Sequence, residues 1–385
     1  MEMTELSRRQ RALVLAICCM SLLIVGLDST IVNIALPSIQ RDLHTSVSGL
    51  QWTIDAYTLV LAGLLVLSGS MGDRFGRKRT FQLGLAVFTL GSLLCSLAPS
   101  LEWLIVFRIL QAVGGSMLNP VAMSIITNVF TEPRERARAI GVWSGVVGLS
   151  MALGPVVGGA LLGPLGWQAI FWINVPIGLA AFVLTARFIP ESRSASPRRL
   201  DPVGQVLIAL FLASLTFGII EGPQAGWSSA KILTVFGVAI CALAGIGGYE
   251  SRRYEPLLDL RFFRSIPFSG AFIIAISAFS ALGSFLLLNT LYLQQERAYS
   301  PLHAGLLMLP MAAMTVVAGP LSGRLVGSRG PRLSLVAAGI ALFASGLMLS
   351  LLDATTSLAW LIVSYVVFGF GFAVVNAPIT NTAVS

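Results

Sequence analysis

Twelve stretches of this chain, each long enough to cross the hydrocarbon of a bilayer, carry almost no charge: 12–37, 48–71, 80–98, 102–125, 139–162, 167–189, 203–221, 231–249, 268–292, 303–323, 333–352 and 358–380. A helix rises about 1.5 Å per residue, so about 30 Å of hydrocarbon takes roughly 20 apolar residues. Backbone N–H and C=O groups find no water in lipid, which leaves helices and closed barrels as the spanning structures. The runs are continuous and lack period-two alternation, so the fold class predicted is all-α integral membrane, with twelve helices present. Composition agrees. Of 385 residues 56% are hydrophobic and 11% charged, with a mean hydropathy of +0.85, too apolar for an ordinary water-facing surface. The first run follows Arg8, Arg9 and Arg11 as a secretion signal would, but its length, Asp28 within it and the lack of a small-residue cleavage site mark a retained helix.

A net charge of +8 would suit nucleic acid if the bases clustered on one soluble face. They do not. Of the 25 Lys and Arg residues, 21 fall before the first run and in the alternate loops 72–80, 131–139, 187–200, 250–264 and 323–333. That is the positive-inside pattern, so the N-terminus and these loops are expected in the cytoplasm and no nucleic-acid partner is required. Cys18, Cys19, Cys95 and Cys241 lie in apolar runs without metal spacing, and His44 and His303 are far apart, so no metal site is expected.

Two polar, basic stretches divide the chain, "PESRSASPRRLDP" (190–202) and "YESRRYEPLLDLRFFRS" (249–265). The expected organisation is a six-helix bundle (1–190), a cytoplasmic linker (191–202), two inserted helices (203–249), a second linker (250–264) and an incomplete four-helix bundle (265–385). "GPLSGRLVGSRGPR" (319–332) loosely repeats "GSMGDRFGRKR" (69–79), with Gly319, Gly323, Arg324 and Gly327 in comparable places. Each copy follows the second helix of its bundle, so the two bundles are expected to be pseudo-symmetric and the middle pair an insertion, a plan used by transporters.

Three ionisable residues, Asp28, Asp55 and Arg108, fall inside apolar runs. Counted along the helices they lie about 13, about 10 and about 9 Å from the outer ends of their runs, a common depth. A lone charge there costs at least about 2.5–3.5 kcal/mol on insertion scales, so all three are expected to face the interior and pair, or one to be neutral. Two carboxylates beside one arginine suit proton coupling, with Asp28 or Asp55 binding the proton and Arg108 as electrostatic partner. A static structural ion pair is the alternative.

These residues sit within stretches that resemble a known family over nearly the whole chain. Gly69, Asp73, Arg74, Gly76, Arg77 and Lys78 resemble the loop 2–3 signature of the major facilitator superfamily. "LDSTIVNIALP" (27–37), "RILQAVGG" (108–115), "GVVGLSMALGPVVGG" (145–159) and "WQAIFWINVPIG" (167–178) resemble further signatures of its 14-helix drug:proton antiporter branch. The resemblance implies a major facilitator fold of two helix bundles with two extra central helices. It also implies that Gly145, Gly154, Pro155, Gly158 and Gly159 form the segment marking antiporters. Two departures stand out. The branch has fourteen helices, so the chain is expected to be C-terminally truncated, and Ser150 stands where the pattern prefers glycine.

Physically, Gly72 and Gly76 allow a tight turn and close helix approach, and Asp73 can accept from a helix N-terminus or from Arg134 or Arg136. Such a latch is expected to hold the cytoplasmic ends together in an outward-open state; the plainer alternative is that the basic residues only fix topology. Gly154, Gly158 and Gly159 permit close packing of the fifth run, and Pro155 is expected to bend it. Tyr57, Gln111, Asn119, Asn289 and Asn376 are the polar or amphipathic groups available to line a substrate cavity. No phosphate-cradling loop, paired-histidine motif or nucleophile–base constellation points to an enzyme. The expected function is secondary active export of amphipathic small molecules or drugs, cationic ones included, across the plasma membrane (a bacterial inner membrane) in exchange for protons. The partners are lipid and substrate, the proton is the coupling ion, no other cofactor is expected, and the oligomeric state expected is a monomer. The alternatives are export or facilitation of a native metabolite or lipid, and a truncated fragment that does not transport.

Overall fold

The computed structural model describes residues 7–194, 201–253 and 260–384. Parts of both expected linkers, 195–200 and 254–259, lie outside the described residues. Every regular element described is helical: α1 (Arg8–Leu43), α2 (Val47–Phe75), α3 (Arg77–Ser96), α4 (Leu101–Val129), α5 (Pro133–Leu165), α6 (Ala169–Trp172), α7 (Asn174–Phe188), α8 (Pro202–Ala225), α9 (Ala230–Glu250), α10 (Ile266–Leu291), α11 (Pro301–Leu307), α12 (Leu309–Arg329), α13 (Pro331–Ser350) and α14 (Leu358–Val384), with a 3-10 turn at Leu260–Arg264 and a π turn at Tyr292–Glu296.

Each of the twelve apolar runs falls on one helix or on a helix interrupted once. Ten of these segments are long and apolar enough to cross a membrane by length and composition alone. The other two fall on α3, which opens on Arg77, Lys78 and Arg79, and on α5. The interruptions have a local cause. Pro176 and Pro310 have no N–H to give to the carbonyls of Trp172 and Leu306, and the chain breaks beside them, at Ile173 between α6 and α7 and at Met308 between α11 and α12. Helix starts are capped by side chains: Ser7 and Gln10 form a capping box, and Ser46, Asp201, Ser229 and Ser300 each accept from a backbone N–H of the first turn.

The α2–α3 elbow turns on Gly76, whose φ of 113° is closed to most side chains. Gly76 ends one helix and begins the next, its N–H donating to the Gly72 carbonyl. The α12–α13 elbow repeats this device at Gly330, with φ 77° and its N–H on the Val326 carbonyl.

The chain gathers into two compact units. The first comprises Met1–Ser29, Ser38–Val147 and Trp167–Leu260; the second comprises Thr30–Pro37, Gly148–Gly166 and Arg261–Ser385. In the first, α3 and α4 approach so closely that a Cβ on Gly91 would meet the backbone of Gln111. Its core is built from Val14, Ile17, Phe81, Leu85, Phe88, Leu118 and Ile125 with their neighbours. The inserted pair α8–α9 belongs to this unit. Trp52 Nε1 on α2 donates to Glu221 Oε1 on α8 at 2.8 Å, and the Gln205 side-chain amide donates to the Gly63 carbonyl. In the second unit, Ala278, Ala318, Ala338, Ala373, Val374 and Val375 form a small-residue core, and Phe285 stacks on Phe368 with centroids 4.3 Å apart.

Candidate functional site

Within the first unit, Asp28 of α1 and Arg108 of α4 meet in a fully buried ion pair, with Arg108 Nη1 2.5 Å from Asp28 Oδ2 and side chains 0% and 1% exposed. Arg108 and Gln111 stand three residues apart on α4 and so share a face. Gln111 Nε2 donates to Asp28 Oδ1 at 2.8 Å, and Gln111 Oε1 accepts from Arg108 Nη1 at 2.9 Å. A third donor to Asp28 is Asn174 Nδ2, at 2.9 Å from Oδ1. Arg108 Nε donates to the Thr53 carbonyl at 3.2 Å, and its guanidinium lies over the Tyr57 ring, 4.0 Å from the centroid. A buried ion pair survives only where its remaining donors and lone pairs are satisfied, and this network supplies partners on both sides.

Asp55 does not join it. Thr53 and Tyr57 both face Arg108, and Asp55 is two residues from each, about 200° around the helix. It is half-buried and no ion pair reaches it among the described residues. The sequence placed all three groups at one depth; what separates them is the face of α2. Conversely, residue patterns gave no role to Asn174, Ser92 or the Thr53 carbonyl. Asn174 is a polar residue in an otherwise apolar stretch, a visible signal, whereas a lone serine in a membrane helix carries none.

The residues proposed for a cavity lie in different settings. Tyr57 and Gln111 are 1% and 0% exposed and belong to the ion-pair network. Asn119 on α4 is partly exposed, with an Oδ1 buried and unpartnered among the described residues. In the second unit, Asn289 donates to the Phe285 carbonyl at 2.9 Å and accepts from Tyr365 Oη at 2.9 Å, and Asn376 donates to the Phe372 carbonyl at 2.9 Å.

At the α2–α3 elbow, Asp73 pairs with Arg77 across Gly76 at 3.1 Å. The arginine it meets is thus Arg77, in the first turn of α3, rather than Arg134 or Arg136. The Arg134 and Glu135 N–H groups instead donate to the carboxylate of Glu132, and these bonds, that from Glu135 first, hold Glu132 below the usual carboxylate range. The elbow is tied to the end of α7 and to the segment after it. Arg77 N donates to the Ser192 carbonyl at 2.9 Å, Ser194 N to the Asp73 carbonyl at 3.1 Å, Lys78 N to Glu191 Oε1 at 3.1 Å and Lys78 Nζ to the Ala186 carbonyl at 2.7 Å. A Cβ on Gly69 would meet Pro120 at ordinary contact distance, and Arg74 is exposed.

The glycines of α5 divide by role. Gly145 has open space around it. In the second unit, a Cβ on Gly154 would strike Thr30, one on Gly158 would strike Ile31 and Ile34, and one on Gly159 would strike the backbone of Pro301 and Leu302. Pro155 lies inside the helix, and its carbonyl leaves no room for a side chain at Gly305 of α11. Ser150 is buried and its carbonyl accepts from Thr30 Oγ1 at 3.4 Å.

A helical chain with ten or more spans and a buried, hydrogen-bonded ion pair within them is a multi-pass membrane protein of the transporter type. Residues 18–385 match the Major Facilitator Superfamily, and the chain belongs to that family. It is 39% identical over 365 residues to the tetracenomycin C resistance and export protein of Streptomyces glaucescens, covering 94% of this chain and 68% of that one. It is 34% identical over 377 residues to the multidrug resistance protein Stp of Mycobacterium tuberculosis, covering 98% and 70%. It is 35% identical over 372 residues to the multidrug efflux pump LfrA of Mycolicibacterium smegmatis, covering 96% and 73%. Among solved structures, a peptide transporter, POT, in complex with sulfate matches with a TM-score of 0.69 at 14% identity, covering 94% of this chain and 80% of that one, and supports the fold alone.

Proposed function

We propose that this protein exports small amphipathic molecules, drugs and lipophilic cations among them, across the plasma membrane in exchange for protons. Its N-terminus lies in the cytoplasm, where the basic loops also lie, and it works as a monomer with the proton as its coupling ion. The relatives named for drug resistance, efflux and export support the substrate class, and their bacterial origin supports the plasma membrane.

The observation that carries the coupling is the Asp28–Arg108 pair buried within helices that cross the membrane. Each such charge costs at least about 2.5–3.5 kcal/mol on insertion scales, and a carrier without an ion to couple has no use for that expense. Protonation of Asp28 removes the negative charge from the α1 side, while Arg108 keeps the Thr53 carbonyl, Gln111 Oε1 and the Tyr57 ring. The proton therefore loosens the α1–α4 tie while the arginine keeps these three neutral partners. Asp55, the second carboxylate at this depth, is tested beside Asp28 as a proton-exchanging group, and Asn119 is the substrate contact proposed in the first unit. The loop signature from Gly69 to Lys78 acts as a cytoplasmic latch, and Gly154, Pro155, Gly158 and Gly159 as the antiport segment.

In inverted vesicles with an imposed proton gradient and ethidium as probe, Asp28→Asn is expected to slow proton-driven uptake at least about tenfold. Parental coupling in both Asp28→Asn and Asp55→Asn overturns the proposal.

A further inference from the structure

Asn174 opens α7, one residue after the interruption at Ile173, and is fully buried. Its Nδ2 donates both to Asp28 Oδ1 at 2.9 Å and to Ser92 Oγ of α3 at 3.1 Å, and Ser92 in turn donates to the Phe171 carbonyl at 2.9 Å. Its Oδ1 is buried with no partner among the described residues. The groups around Asp28 come from four helices. They are Arg108 and Gln111 from α4, the Tyr57 ring and the Thr53 carbonyl of α2 on the far side of Arg108, Ser92 and Cys95 from α3, and Asn174 from α7. Cys95 Sγ donates to Gln111 Oε1 at 3.8 Å. Of the three donors to the carboxylate, two ride on α4 and one does not.

We propose that Asn174 is a positioning residue that sets the pH at which Asp28 exchanges its proton, through a donor bond that favours the ionised carboxylate. The inference rests on the reading of Asp28 as the coupling acid. The α4 donors are not independent of one another, because Arg108 and Gln111 are bonded to each other on the same helix face. Asn174 is held from elsewhere, by Ser92, beside a helix break. The bond to the ionised form is charge-assisted and stronger than one to the protonated acid, so removing the amide favours the protonated acid.

The test is a pH titration of the whole chain in liposomes, followed by infrared difference spectroscopy of the carboxyl band that disappears in Asp28→Asn. This readout needs no transported substrate. In Asn174→Ala the midpoint of that band is expected to move to higher pH by about one unit. Asn174→Asp, nearly isosteric and so the safer variant for folding, sets a second carboxylate against the first. Two carboxylates sharing a site do not both ionise readily, and the upward shift is expected to be larger. Midpoints equal to the parent's in both variants overturn the role of Asn174. Absence from the parent's titration of any band lost in Asp28→Asn overturns instead the reading of Asp28 as the proton carrier.

Discussion

Replacing Arg108 with methionine is the sharpest perturbation the site offers. The change keeps much of the side-chain length but withdraws the donors to Asp28 Oδ2 (2.5 Å), Gln111 Oε1 (2.9 Å) and the Thr53 carbonyl (3.2 Å), together with the cation over Tyr57. Asp28 keeps Gln111 and Asn174 but loses its only counter-charge among the described residues. Removing one partner of a buried pair costs about 3–5 kcal/mol, most of it the penalty of the charge left behind. The double variant Arg108→Met with Asp28→Asn removes that charge, while the asparagine oxygen still accepts from Gln111 and Asn174. It is therefore expected to be more stable than Arg108→Met alone by about 2 kcal/mol or more, which is several degrees of Tm for the purified protein in detergent. A double variant no more stable than the single one refutes the view that charge pairing organises this site.

The α5 glycines give a paired prediction: Gly159→Ala, whose Cβ meets the Pro301 and Leu302 backbone, is expected to cost at least about 1–3 kcal/mol, while Gly145→Ala, in open space, should be neutral or slightly stabilising, as read by Tm. At the elbow, Glu191→Ala removes the acceptor of the Lys78 N–H and the 3.7 Å pair with Arg79. Being partly exposed, these bonds are worth about 1 kcal/mol or less, so the change should appear as faster amide hydrogen exchange over residues 77–80 with little change in global Tm, and unchanged exchange would refute the tie.

Depth in the membrane was legible from residue counts, because a helix advances by a fixed rise. Phase was not: Asp28, Asp55 and Arg108 were placed at one level, yet a difference of two residues along α2 put Asp55 on the face away from Arg108. The number of apolar runs is a matter of length and hydropathy, and each run became a helix or a once-broken helix. The Asp73 partner lies within reach of counting: Arg77 is four residues on, the spacing of a helical ion pair, and the two meet although the helix ends at Gly76 between them. Asn174 stands out as a polar residue in an apolar stretch, but its role comes from α1 lying opposite it, a tertiary fact that no local pattern encodes.

The bond from Trp52 to Glu221 bears on any attempt to shorten this chain. Excising residues 203–249 to produce a simpler carrier would leave the indole N–H of Trp52 without its Glu221 acceptor, and would bare the flank of α2 that Gln205 now covers. A minimised version would have to resurface α2 for contact with lipid before its loops were rejoined.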